Sequence, residues 1–98
     1  GVPVREIQEG IRHGVRKVNI DTDLRLASTG AIRKHLAENP KNFDPRKYFI
    51  AAKDAMKQIC NDRYEAFGTA GQGAKLSPIS LDRMAARYRA GELQARVN

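Results

Sequence analysis

Asn19, Asp21, Thr22 and Asp23 fall within one short stretch, Val15-Arg16-Lys17-Val18-Asn19-Ile20-Asp21-Thr22-Asp23. An amide that can both donate and accept, a hydroxyl and two carboxylates equip this stretch for hydrogen-bonded recognition of a polar ligand. Val15, Val18 and Ile20 are β-branched, so the residues before Asp21 read as a strand. The run from Leu24 reads as a helix, which Asp21, Thr22 or Asp23 could cap. The polar cluster would then stand at the carboxyl end of a strand and the start of a helix. In α/β folds ligands gather at that edge, and free helix amides there suit an anion such as phosphate. An ordinary loop whose acids only cap the helix fits the same residues.

The other reactive side chains are scattered. His13, His35 and Cys60 lie on three different elements, whereas a zinc site needs three or four converging ligands; each reads as structural or surface-exposed. Cys60 has no cysteine to pair with, which agrees with a reducing, intracellular compartment. The glycines between 68 and 73 lack the Lys-Ser/Thr ending of a P-loop.

The elements that must position these groups follow from periodicity and punctuation. Val4, Ile7 and Ile11 predict a short amphipathic helix over 3–12, closed by a left-handed Gly14. A strand over 15–20 follows, then a helix from Leu24 to about Glu38. Its buried side is Leu24, Ala27, Ala31, Ile32 and His35 or Leu36, Gly30 marks a weak point or close packing, and Asn39-Pro40 ends it. Asp44-Pro45 is a strong helix start. The run to Phe67 carries Tyr48, Phe49, Ala52, Met56, Ile59, Cys60 and Phe67 on one stripe. Ser80 can cap a last helix with Leu81, Met84, Ala85 and Tyr88 on one side and Gly91 at its end. Residues 92–98 read as a frayed or assembly-dependent tail.

The 98 residues suffice for one small domain with a modest core: 41% are hydrophobic and none is Trp. Eighteen Lys and Arg against eleven Asp and Glu give a net charge of +7, which alone would suit nucleic acid, an anionic membrane or a phosphorylated metabolite. The cations are interleaved with acids and form no run of four, so they read as a solvated surface with a few phosphate contacts. No apolar run is long enough to span a membrane. A single strand cannot satisfy its own backbone groups. Its neighbours must therefore come from other residues or another chain.

From Lys17 through Arg25, and again at Gly1-Val2-Pro3-Val4, Phe43-Asp44-Pro45-Arg46 and Phe67-Gly68-Thr69-Ala70-Gly71, the sequence closely resembles the C-terminal end of class II, metal-dependent fructose-1,6-bisphosphate aldolases. It looks most like the group that includes the Calvin-cycle and many bacterial glycolytic forms. The resemblance implies an α/β fold class: a C-terminal fragment of a (β/α)8 TIM barrel, with strand eight at 15–20 and helix eight after it. Residues 1–39 would be the end of the barrel, and 40–98 a C-terminal helical extension involved in subunit contacts. The complete protein would reversibly cleave fructose 1,6-bisphosphate to dihydroxyacetone phosphate and glyceraldehyde 3-phosphate, and this chain alone would be inactive. Zn2+ or another divalent cation would be bound by upstream residues absent from these 98, with a monovalent cation also expected; no metal ligand falls in this chain.

Carried over residue by residue, the resemblance makes Asn19 a catalytic and substrate-binding residue. Its amide would hydrogen-bond the oxygen on C2 or C3 near the enediolate without changing charge. Asp21 and Thr22 would lie at the C1 phosphate: Thr22 through its hydroxyl and N–H, Asp21 through its N–H while its side chain orients the loop or a neighbour. Arg46 would reach the neighbouring subunit and bind the C6 phosphate with its planar fork. The implied partners are the upstream part of the same polypeptide, a sugar phosphate and further copies in a homo-dimer or homo-tetramer, with no nucleic acid and no membrane, in the cytoplasm. Two alternatives remain: a tagatose-bisphosphate aldolase of the same family, or a small basic helical module binding nucleic acid or protein.

Overall fold

Four helices carry the chain in the computed structural model, which describes residues 1–94: α1 (Val4–Arg12), α2 (Thr22–Glu38), α3 (Pro45–Ala66) and α4 (Leu81–Arg89), with one 3-10 turn at Gly73–Lys75 before the last. The expected tail from 95 onward lies outside the described residues. Local chemistry marks ends of α1, α3 and α4. Pro3 precedes α1, which closes at His13 and turns away through Gly14 at φ +106°; an L side chain rarely adopts that angle. Asp44 accepts a hydrogen bond from the Arg46 N–H at 3.0 Å with Pro45 as the first residue of α3. The Ser80 hydroxyl accepts from the Arg83 N–H at 3.3 Å, and Gly91 follows α4 at φ +72°.

α2 and α3 form an antiparallel helical hairpin. The start of α2 meets the end of α3 through Asp23 and Arg63, and the connection is pinned by Asn42, whose side-chain nitrogen lies 2.6 Å from His35 Nε2. α1 lies lightly on α3 and is tied by Gln8, which donates to the Ala66 carbonyl at 2.9 Å. The α3 stripe faces this small interior, and Ala52, 2% exposed, is its one fully buried apolar residue among those described. Phe49, expected on the stripe, is 56% exposed. Gly30 has open space around it, with nothing within 4 Å of where a Cβ would stand. Close packing therefore does not explain it among the described residues.

The expected strand over 15–20 does not form. Val15 donates its N–H back to the Gly10 carbonyl, and residues 15–20 then run without regular secondary structure to α2. The reason is physical: a strand is defined by its ladder, and the rest of the described chain is helix, turn and connector. β-branched composition gives an extended preference but supplies no partner. The described chain accordingly belongs to no α/β class by itself.

The same deficit shows in the surface. The chain exposes 8581 Å2, against about 5,600 Å2 for a folded monomer of this mass. Its radius of gyration is 19.7 Å, against about 13 Å for a compact chain of this length. Phe43 and Leu81 remain almost wholly in solvent, and α4 packs on no other described element. Apolar surface on this scale is ordinarily covered by further protein.

Candidate functional site

Asn19, Asp21, Thr22 and Asp23 come together, with Arg63, on one groove of about 280 Å3, near the lower end of the range for ligand pockets. Its geometry starts at the N-terminus of α2. Asp21 occupies the cap position at φ −133°, ψ −61°, yet no side chain caps the helix. The Asp21 carboxylate instead accepts from Arg25 Nε at 2.7 Å, one turn further on. The expectation that Asp21, Thr22 or Asp23 caps α2 with a side chain is therefore corrected: Arg25, four residues along, competes for the nearest carboxylate. The first amides of the helix, which have no intrahelical acceptor, are left without a side-chain cap. Uncapped amides, the Thr22 hydroxyl and the Asn19 amide together present donors suited to an anionic oxygen.

Asp23 is turned away from the helix amides. Its Oδ2 accepts from Arg63 Nη2 at 3.0 Å. The Arg63 hydrogen bond holds the Asp23 carboxyl below the usual aspartate range. Arg63 escapes a local reading of the sequence because its partner lies 40 residues away. One signal was available: it follows Ile59 by four residues and precedes Phe67 by four, which places a cation on the apolar side of α3.

Arg46 stands elsewhere. It is in the first turn of α3, and Arg63 is 17 residues further along the same helix, about 25 Å away at 1.5 Å per residue. One chain therefore does not bring Arg46 into the groove of Asn19 and Thr22. The guanidinium folds over Asp44, with Nη2 to Oδ2 at 2.8 Å and Nε to Oδ1 at 3.1 Å, and the side chain is 90% exposed. That pairing, with the Arg46 N–H also donating, lowers the Asp44 carboxyl and raises the Arg46 guanidinium.

The pH consequence has a definite sign. The Asp44 value is depressed in the fold, so its contribution is present above the ordinary aspartate value of about 3.9 and is lost as pH falls through the lower folded value. Acidification below about pH 4 is expected to fray the first turn of α3 while leaving its centre intact. Amide hydrogen exchange at Arg46 and Lys47 checks this; equal protection on both sides of that range would contradict it.

His13 lies 3.0 Å from Glu9 in an exposed pair, and His35 serves the α2–α3 connection. Cys60 instead lines a second, apolar groove of about 590 Å3 with Ile11, Val15, Val18, Ile20 and Phe67. Among the described residues no three His, Cys, Asp or Glu side chains are placed to hold a metal ion. No described helix is long and apolar enough to cross a membrane.

The family model described as "Fructose-bisphosphate aldolase class-II" matches residues 1–72. The chain is 67% identical over all 98 residues to a fructose-bisphosphate aldolase of Pseudomonas aeruginosa, of which it covers 28%. It is 66% identical, again over its whole length, to a fructose-bisphosphate aldolase of Stutzerimonas stutzeri, covering 28% of it. With a fructose-bisphosphate aldolase of Nostoc it shares 56% identity over 95 residues, 97% of this chain and 26% of the relative. The chain thus spans a little over a quarter of the length of the curated relatives it matches.

Proposed function

The chain belongs to the class II fructose-bisphosphate aldolase family, and from that premise we propose that it forms part of an enzyme cleaving fructose 1,6-bisphosphate reversibly to dihydroxyacetone phosphate and glyceraldehyde 3-phosphate. The observation that carries this reading to particular residues is the groove on which Asn19, Asp21 and Thr22 meet beside uncapped helix amides.

In this reading Thr22 donates its hydroxyl and N–H to the C1 phosphate, and Asp21 donates its N–H while its carboxylate holds Arg25. Asn19 hydrogen-bonds the oxygen on C2 or C3 as it gains enediolate character. Arg46 meets the C6 phosphate of a substrate bound mainly by a neighbouring copy. These contacts spend phosphate binding energy on alignment of the C3–C4 bond. A divalent cation, Zn2+ foremost, supplies Lewis-acid polarisation of the ketone. Among the described residues no group of side chains fits a site for it; in this proposal its ligands, and those of a monovalent ion, come from the upstream part of the same polypeptide. This chain's part is binding and orientation.

Residues 1–39 belong in this proposal to the end of a TIM barrel and 40–98 to a helical extension at subunit contacts of a dimer or tetramer. The large apolar groove along 15–20 and the unpartnered α4 support that division, since both leave apolar surface for other protein to cover. Glycolytic or Calvin-cycle use in the cytoplasm follows from the same proposal.

The test is an assay of the full-length protein. It is expected to release dihydroxyacetone phosphate from fructose 1,6-bisphosphate, to prefer that sugar over its C4 epimer tagatose 1,6-bisphosphate, and to lose activity on chelation with EDTA and regain it with Zn2+. Full activity in EDTA, or a preference for the epimer, would refute this assignment.

A further inference from the structure

Arg63 is the only cationic side chain among the described residues lining the groove of Asn19, Asp21 and Thr22. It reaches Asp23 from a helix whose other end is far away, and both side chains are largely withdrawn from water, at 18% and 22% exposure. Every other ion pair between side chains of the described residues joins positions five or fewer apart and involves a side chain more than a third exposed. Such exposed local pairs fix little. The Asp23–Arg63 pair differs because it bolts the first turn of α2 to the last turns of α3.

Charge adds to the geometry. Two carboxylates, Asp21 and Asp23, line a groove read as receiving a dianionic phosphate. Asp21 is matched by Arg25 on the exposed side, and Asp23 by Arg63 within the groove. Without Arg63 the Asp23 carboxylate would face the phosphate with no guanidinium beside it, and the segment leading from Asn19 into α2 would lose its anchor on α3.

Resting on the phosphate-loop reading above, we infer that Arg63 is a positioning residue for substrate: through Asp23 it fixes the 19–22 segment that takes the ketose C1 phosphate. Arg63 touches no reacting atom in this role. Its effect reaches the substrate through the placement of the Thr22 and Asn19 donors, where displacements of about 1 Å can cost up to about a hundredfold.

The experiment uses the full-length metal-loaded enzyme and inorganic phosphate as a competitive inhibitor. Arg63→Met and Asp23→Asn are each expected to raise KM and the phosphate inhibition constant together, by about tenfold or more, with kcat falling less and the melting temperature near wild type. Because both act through one tie, the double variant should lose no more than the worse single. Unchanged KM and inhibition constant, or losses that multiply in the double variant, would overturn the inference. Should Arg63→Met fail to fold, the isosteric Asp23→Asn decides alone by the same two constants. Thr22→Val, measured alongside, separates the two levels. If it raises both constants while the Asp23 and Arg63 variants do not, the positioning role falls and the phosphate loop stands. If none of the three moves them, the phosphate loop itself is refuted.

Discussion

Asn19→Ala in the full-length enzyme is expected to lower kcat and kcat/KM together by about a hundredfold or more. An interaction that strengthens as charge develops on the substrate oxygen contributes to the barrier, so its loss appears in kcat and is not confined to KM. The amide is suited to this because its nitrogen donates to an oxyanion while its oxygen accepts from a hydroxyl, with no change in its own charge. Asn19→Asp is the sharper companion. It keeps the shape but replaces a donor by an acceptor carrying negative charge, which would oppose an enediolate, so its loss should equal or exceed that of alanine. Steady-state kinetics with fructose 1,6-bisphosphate read both. A kcat within twofold of wild type for Asn19→Ala would remove the residue from the reacting centre and leave it a ground-state contact at most.

Legibility of this chain in its sequence divides by range. Asp44-Pro45, Ser80, Gly14 and Gly91 specify helix ends by interactions within a few residues, and the four helices stand close to where those residues put them. The 15–20 stretch could not be read that way. Val15, Val18 and Ile20 state a backbone preference, while a strand needs hydrogen-bond partners that the described residues do not contain. The 3-10 turn at Gly73–Lys75, inside a glycine-rich linker, gave no periodic signal. At the site, the clustering of Asn19, Asp21 and Thr22 was plain from spacing, but the choice of partner for each carboxylate was not. Asp21 takes Arg25 and leaves the amides uncapped, and Asp23 takes Arg63 across 40 residues. Tertiary contacts of that kind are invisible to propensity and account for most of what was missed.

Arg46→Ala should separate the two phosphates of the substrate. With only the C6 phosphate at stake, bisphosphate cleavage is expected to lose about a hundredfold in kcat/KM, the order expected when a bidentate charged contact is removed. Exchange of the C3 proton of bound dihydroxyacetone phosphate, which lacks that phosphate, should change by no more than about threefold. Arg46→Lys keeps the charge and loses the planar fork, so it should fall between. The guanidinium already lies on Asp44 and is 90% exposed, which leaves its outer N–H groups free to face another molecule while the carboxylate limits its rotamers. Its separation of about 25 Å from Arg63 along α3 keeps it out of its own chain's groove, so the C6-phosphate role proposed above requires the groove of another copy. Subunit mixing makes that requirement testable. Neither Asn19→Ala nor Arg46→Ala has an intact site alone, yet random mixing at equal amounts should restore about a quarter of the sites, each with Asn19 from one copy and Arg46 from another. Were both residues to act within one chain, no mixed assembly would contain an intact pair, and activity would stay at the level of the variants.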